Sequence, residues 1–243
     1  MRFPRWLALA FLSSTLLGLP GIARAEDEEA ARLEAKGEAV RYSLKTTDPV
    51  SRVDTGGAAI LVHAPIAAVR KVVTRYDSYA KLIKPFDQSR VLSRKGNVSE
   101  VYLKVPVAHG AANVWAVTQM TGPIPDGAGE KIVGQYTNKG NVDDFRATWR
   151  MRAIDAERTI VKLEILVEPR LPLPASMITP ELKYAADKGV TAVKEAAEKS
   201  TANVAKAPPN QTVTKAPAAI TAPSPPEKPA EPPARKSPTV AKR

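Results

Sequence analysis

Residues 60–96 read ILVHAPIAAVRKVVTRYDSYAKLIKPFDQSRVLSRKG and combine strand and helix patterns within a short span. The strand pattern Ala58–His63 leads into Pro65, which suits the first turn of a helix because that position needs no backbone N–H. A second short helix must end near Lys84, since the residue before a proline disfavours helical backbone. The stretch therefore predicts a strand, two short helices and a further strand that begins at Arg90.

Downstream of this stretch, apolar and β-branched runs alternate with clusters of turn residues. The predicted strands are Arg90–Ser93, Glu100–Val107, Val114–Thr121, Lys131–Tyr136, Phe145–Ile154 and Thr159–Val167. A weaker strand pattern, Ala39–Lys45, comes before Ala58–His63, and Pro123–Gly129 is predicted as a turn. Apolar and polar residues alternate most clearly in the last two strands, so we predict an antiparallel sheet with one buried face and one solvated face.

Residues 158–180, RTIVKLEILVEPRLPLPASMITP, lead from the last strand through a proline-rich bend into a long helix. Thr179 suits the N-cap of this helix and Pro180 its first turn. The apolar stripe of the helix consists of Leu182, Ala186, Val190, Val193 and Ala197. A stripe of this spacing predicts that the helix packs along one face of the sheet.

The first 25 residues have the layout of a secretory signal peptide. Arg2 and Arg5 precede an apolar run, and Ala23-Arg24-Ala25 forms a cleavage pattern ahead of four acidic residues. The apolar run is too short for a comfortable membrane span, which needs ~20 apolar residues. We therefore predict a periplasmic or secreted protein whose mature chain begins at Glu26.

The segment 206–243 holds 10 of the chain's 22 prolines and no aromatic residue. Such a composition cannot bury enough apolar surface to offset the entropy of ordering, so we predict a disordered tail. The tail contains seven basic and two acidic residues. It is either a solubilising tail or a weak contact with an anionic envelope surface.

Composition excludes several classes of protein. The formal net charge is +11, but the leader and the tail carry most of it, which leaves the segment between them nearly balanced. Because that segment has no basic face interleaved with aromatic residues, we do not expect nucleic-acid binding. The chain has no cysteine, which rules out disulfides, thiol catalysis and cysteine-ligated zinc. Four segments are predicted: a signal peptide 1–25, an N-terminal lead-in 26–54, a folded domain 55–200 and the tail 206–243.

The order of these elements resembles the helix-grip fold, and the segments that carry the resemblance are 60–96 and 158–180. Over residues 55–200 the chain is similar to the START-like (SRPBCC) superfamily of polyketide cyclases and dehydratases, lipid-transfer domains and coenzyme Q-binding proteins. The resemblance implies an α+β fold in which a curved antiparallel sheet of about seven strands wraps around the long C-terminal helix. Two short helices follow the first strand. It also implies a cavity for an apolar ligand between the sheet and that helix.

Large side chains on the strands and small ones on the last helix are the candidates for lining such a cavity. These candidates are Tyr102, Trp115, Phe145, Trp149, Met151, Leu163, Ile165, Leu182, Ala186 and Gly189. Each of them is equally compatible with ordinary core packing.

The sequence offers few candidates for catalysis. Its two histidines, His63 and His109, fall at a predicted strand end and in a turn, where a structural or solvated role is common. Asp143 and Asp144 lie beside a turn, which favours a solvated loop. No spacing typical of metal ligands, a phosphate-binding loop or a nucleophile elbow occurs. We therefore predict no catalytic residue, no metal and no cofactor.

Three functions remain open from the sequence. The first is an exported, monomeric, non-enzymatic protein that binds or carries a lipid, isoprenoid, quinone or polyketide-like molecule in the cavity. The second is an enzyme of the cyclase or dehydratase type that uses the same cavity. The third is a cell-envelope interaction protein that holds no small ligand.

The leader generates the first testable prediction. In a bacterial host, the intact mass of the purified protein should correspond to a chain that starts at Glu26, and the protein should fractionate with the soluble periplasmic contents. The variant Ala25→Phe should retain its leader, because the cleavage site requires a small residue at this position. A wild-type protein that keeps residues 1–25 would contradict the prediction.

Overall fold

The structure is a computed structural model that describes residues 20–46, 51–84, 86–107, 112–171 and 174–206. Most of the predicted leader, nearly all of the predicted tail and His109 lie outside these ranges. Within them, no helix has both the length and the apolar character that a membrane span requires.

Eight strands form one antiparallel sheet in the order β1-β2-β8-β7-β6-β5-β4-β3. In chain order the elements are α1 (Pro20–Lys36), β1 (Val40–Leu44), β2 (Thr55–Val62), α2 (Ile66–Val73), α3 (Tyr79–Leu82), β3 (Gln88–Lys95), β4 (Val98–Val107), β5 (Ala112–Asp126), β6 (Gly129–Gly140), β7 (Val142–Ala153), β8 (Thr159–Pro169) and α4 (Ala175–Lys206). The α+β helix-grip architecture is confirmed. The strand count differs slightly from the predicted seven because the edge strand β1 pairs with β2 along its whole length.

The two faces of the sheet follow from strand pairing, because paired residues point to the same side. The inner face carries buried residues such as Val101, Ile132 and Leu163, and α4 packs across it on β2 and β8. The opposite side, the outer face, carries Arg146 and Arg150, which alternate with inner-face residues of β7. The largest apolar cluster therefore lies between the inner face and the helices.

Part of the outer face is buried as well, which corrects the prediction of one solvated face. Ile160 and Leu61 pack against Leu33 of α1, and all three are almost completely buried. Glu29 of α1 also forms ion pairs with Arg152 at 3.2 Å and with Lys162 at 2.7 Å. The described part of the lead-in is thus structurally continuous with the domain, since it supplies both this outer cover and strand β1.

The short helices that follow β2 cover part of the inner face, as the sequence predicts. A single 3₁₀ turn, Tyr76–Ser78, joins α2 to α3. The hydroxyl of Tyr79 donates a hydrogen bond to the carbonyl oxygen of Val73 at 2.6 Å, and its ring lies 6.4 Å from that of Trp149. Helix α3 ends at Leu82, within two residues of the predicted end.

Two predicted boundaries were wrong. Helix α4 begins at Ala175 rather than at Pro180, so Pro180 lies inside the helix although a proline there removes one backbone hydrogen bond and crowds the preceding turn. The segment predicted as a turn, Pro123–Gly129, belongs largely to β5, which continues to Asp126. An irregularity in the pairing with β6 between Thr121 and Ile124 accommodates the proline within the strand.

Two glycines allow α4 to approach the sheet closely. A Cβ atom on Gly56 would lie 2.5 Å from the backbone of Leu182 and Lys183. A Cβ atom on Gly189 would lie 2.6 Å from Cδ2 of Leu163 and 3.4 Å from the ring of Trp149. The interface between helix and sheet is therefore tightly packed at both positions, by backbone atoms at the first and by side chains at the second.

This difference predicts unequal effects of two alanine substitutions. Gly56→Ala should lower the free energy of unfolding by about 3 kcal/mol, because the helix backbone itself must move away from the sheet. Gly189→Ala should lower the free energy of unfolding by less, since only the end of the Leu163 side chain must shift. In addition, alanine favours the helix by ~1 kcal/mol relative to glycine. Urea denaturation of both variants measures the difference, and equal losses would contradict it.

Candidate functional site

Coverage of the inner face decreases from one end of the sheet to the other. Along β7, Met151 and Trp149 are only 1% and 2% exposed, whereas Phe145 is partly exposed. Along β8, Leu163 is buried, whereas Ile165 is partly exposed. The inner face is thus closed at the end where α2 lies and partly accessible at the opposite end.

Apolar side chains line this accessible end. The term open end denotes here the partly exposed residues Tyr136, Phe145, Ile165, Val167 and Leu171.

Beneath the open end lies a small buried cluster of Val114, Ala116 and Val142. Phe145 packs against both this cluster and the main inner cluster, so its ring marks the boundary between the closed and the open parts.

Most of the predicted cavity residues lie at the interface between sheet and helix. Those on the inner face or on the side of α4 that faces it are Phe145, Trp149, Met151, Leu163, Ile165, Leu182, Ala186 and Gly189. Of these, the residues of β7 and β8 extend from the closed part of the inner face to its open end. The three α4 residues lie against the sheet and pack tightly on it.

Tyr102 and Trp115 lie elsewhere, on the outer face. Their ring centroids are 5.9 Å apart, and the guanidinium of Arg90 lies 5.2 Å from the ring centroid of Tyr102. Trp115 is 37% exposed. The face of Tyr102 was hard to predict because its neighbour Leu103, which points inward, is also apolar. These two rings therefore cannot line a space between the sheet and α4.

Tyr136 also lies on the inner face, although it is not among the predicted cavity residues. It pairs with Thr118 on β5, and its hydroxyl oxygen is buried without a hydrogen-bond partner among the described residues. Ile132, Gly134 and Tyr136 are spaced by two along β6, and this alternation is the pattern that places the ring inward.

Two threonine hydroxyls of the closed part are hydrogen-bonded to the backbone. The hydroxyls of Thr118 and Thr159 donate to the carbonyl oxygens of Val101 at 3.3 Å and Ala64 at 2.8 Å.

Two tyrosines of the closed part have raised pKa values, which makes acid–base activity at neutral pH unfavourable. Burial raises the pKa of Tyr76 to about 12, although Arg94 opposes this shift. Burial raises the pKa of Tyr79 well above its ordinary value. Both phenols are therefore protonated at neutral pH and unsuited to act as general bases.

His63 connects three elements at the surface rather than facing the inner cluster. Its Nε2 atom lies 3.1 Å from Oε1 of Glu34 on α1, and its Nδ1 atom lies 3.3 Å from Oε1 of Glu198 on α4. The backbone N–H of His63 also donates to that Glu198 oxygen at 2.8 Å. The arrangement ties α1 and α4 to the end of β2, which is a structural role.

Asp143 and Asp144 are engaged in surface ion pairs. Asp143 lies 2.8 Å from Arg170, and Asp144 lies 2.8 Å from Arg146. In the described part of the chain, no cluster of three or more potential ligands forms a metal site.

More than half of the chain matches one known protein family. Residues 62–194 match the family described as polyketide cyclase / dehydrase and lipid transport. The chain belongs to this family. No curated protein matches the sequence.

Solved structures with a similar fold are distant in sequence. The STAR-related lipid transfer protein of Xanthomonas axonopodis is 15% identical with a TM-score of 0.56, and the match covers 65% of this chain and 93% of that one. Human STARD10 is 13% identical with a TM-score of 0.54, over 81% of this chain and 86% of that one. Human StAR-related lipid transfer protein 5 is 8% identical with a TM-score of 0.54, over 75% and 100%. These likenesses confirm the START-like fold.

The surface contacts of Glu198 predict a pH-dependent contribution to stability. Burial raises the pKa of this carboxyl, but the His63 N–H and the Lys194 ammonium outweigh burial and hold the pKa below its ordinary value of 4.5. A depressed pKa in the folded state stabilises the protein above the unfolded pKa, and this contribution disappears as the pH falls through the folded pKa.

Glu198→Gln should therefore lower the free energy of unfolding at neutral pH by about 1 kcal/mol or less, because the site is partly exposed. The difference from wild type should shrink as the pH falls below 4.5. Urea denaturation across the acidic range measures it, with Glu195→Gln as a control at an exposed position of the same helix. A difference that stays constant with pH would show that the effect is not ionic.

Proposed function

We propose that this protein binds an apolar small molecule at the open end and carries it without chemical change. The class of ligand is a lipid, an isoprenoid, a quinone or a polyketide-like molecule. Membership in a family that includes lipid transport supports this proposal. The fold shared with STAR-related lipid transfer proteins is consistent with it.

The observation that carries the proposal is the uneven cover of an apolar surface. The open end keeps apolar side chains partly exposed, although Trp149 and Met151 of β7 and Leu163 of β8 on the same face are buried. Covering apolar surface yields ~25 cal/mol per Å2 before the costs of association are subtracted. An apolar ligand that seats against Phe145 and Val167 would therefore gain affinity without any change in the closed part.

Larger ligands require a rearrangement of side chains. Next to Gly189 the interface is filled by the ends of the Leu163 and Trp149 side chains. The end of the Leu163 side chain can shift, whereas the backbone contact at Gly56 cannot yield without moving α4. We therefore expect a long ligand to extend from the open end toward Leu163 rather than toward Gly56.

Binding is favoured over the cyclase or dehydratase alternative by the polar groups of the inner face. General acid–base catalysis requires a group that exchanges its proton near the working pH. The described tyrosines of the closed part have raised pKa values, and His63 lies at the surface. The chemistry available on the described inner face therefore suits a neutral, apolar guest.

We also propose that the protein is exported and acts in the periplasm. Glu29 of α1, which forms ion pairs with Arg152 and Lys162 of the sheet, follows the predicted cleavage site at Ala25. Cleavage there would leave acidic residues 26–29 in the first turn of α1, where the helix dipole favours negative charge. The basic tail is then available for contact with an anionic envelope surface.

Two aromatic truncations test the binding site. Phe145→Ala should weaken binding of the apolar fluorescent probe diphenylhexatriene about tenfold or more, since burial of a phenyl ring contributes ~1.5–3 kcal/mol. Trp115→Ala removes an aromatic ring from the outer face and should change the dissociation constant less than about twofold. Fluorescence titration measures binding, and a denaturation curve confirms that each variant is folded.

Equal losses of affinity in the two variants would place the site elsewhere. A wild-type protein that does not bind the probe, and that carries no molecule when purified from its own host and examined by native mass spectrometry, would favour the interaction-protein alternative.

A further inference from the structure

The hydroxyl of Tyr136 is exceptional among the polar groups of the inner face. It is the buried side-chain polar atom of the described residues that has no hydrogen-bond partner. By contrast, the hydroxyls of Tyr79, Thr118 and Thr159 each donate to a backbone carbonyl oxygen. An unpaired buried hydroxyl is unfavourable and uncommon in folded proteins, so this position requires an explanation.

The surroundings of Tyr136 are mainly apolar. Its side chain packs against the small cluster of Val114, Ala116 and Val142 beneath the open end. The nearby guanidinium of Arg170 is engaged by Asp143, whose hydrogen bond is the largest cause of the raised pKa of Arg170, and Tyr136 contributes less to that shift. A group that satisfies the hydroxyl is therefore expected to come from a guest at the open end.

We propose that Tyr136 is the polar anchor of the ligand site and donates a hydrogen bond to a neutral oxygen of the guest. This inference rests on the proposed function. The guest is an apolar molecule that carries a ketone, ester or quinone carbonyl, because a carbonyl oxygen accepts a hydrogen bond from a phenol. A carboxylate is disfavoured, since its charge would be desolvated against apolar side chains.

The anchor explains how an apolar site can discriminate between guests. A hydrocarbon of the same shape gains the same apolar contacts but leaves the hydroxyl unpaired. A molecule with a carbonyl at the right place satisfies it. Tyr136 thus selects for ligands that carry a carbonyl oxygen, while Phe145 and its neighbours contribute most of the affinity.

Fluorenone and fluorene form a suitable pair of test ligands, since they share a ring framework and differ by the carbonyl oxygen. Both are titrated as competitors of diphenylhexatriene on the full-length protein and on Tyr136→Phe. The substitution should weaken the binding of fluorenone about tenfold and leave the affinity for fluorene unchanged, because only fluorenone loses a hydrogen bond. Tyr102→Phe on the outer face is the matched control and should change neither affinity.

Stability provides a second measurement. The Tm of unliganded Tyr136→Phe should equal or exceed that of wild type, since the variant removes an unpaired buried hydroxyl.

Each remaining outcome overturns the inference in a distinguishable way. If the probe binds and fluorenone loses no affinity in Tyr136→Phe, the anchor is wrong while the proposed function stands. A fall in Tm without a change in the fluorenone-to-fluorene ratio would show that the hydroxyl serves the fold instead. If neither the probe nor its competitors bind the wild-type protein, the proposed function fails and the anchor with it.

Discussion

The close contact of α4 with the inner face of the sheet is the constraint on which the rest of the structure depends. It is possible because Gly56 and Gly189 place no Cβ atom of their own at the interface. At Gly56 the helix meets the sheet backbone against backbone, which leaves no freedom for rearrangement. At Gly189 the helix meets the side chains of Leu163 and Trp149, and the end of the Leu163 side chain can shift.

This contact determines where the inner face is closed and where it is not. From Gly189 toward α2, the helices and the sheet bury their apolar residues almost completely. At the other end of β7 and β8, Phe145 and Ile165 remain partly exposed. Part of the outer face is covered by α1, which also forms ion pairs with it through Glu29. The inner face can thus present apolar surface at one end while the sheet is supported from both sides.

The same arrangement separates affinity from selectivity. The apolar side chains of the open end favour any guest that covers them, in proportion to the buried area. A hydroxyl such as that of Tyr136 adds a preference for a particular chemical group, because an unpaired donor opposes the wrong guest. Titratable groups such as His63 and Glu198 lie at the surface, where they join secondary-structure elements.

The sequence by itself determined the order of strands and short helices and the long final helix, because these depend on local periodicity and on turn residues. The family followed from the resemblance carried by residues 60–96 and 158–180. Tertiary structure alone decided which apolar residues face α4. Tyr102 and Leu103 are both apolar neighbours, so alternation could not assign their faces, whereas pairing with β5 does. Likewise, Ile160 is buried only because α1 folds back over the outer face. That the buried hydroxyl of Tyr136 has no hydrogen-bond partner among the described residues depends on its three-dimensional surroundings, which no local pattern encodes.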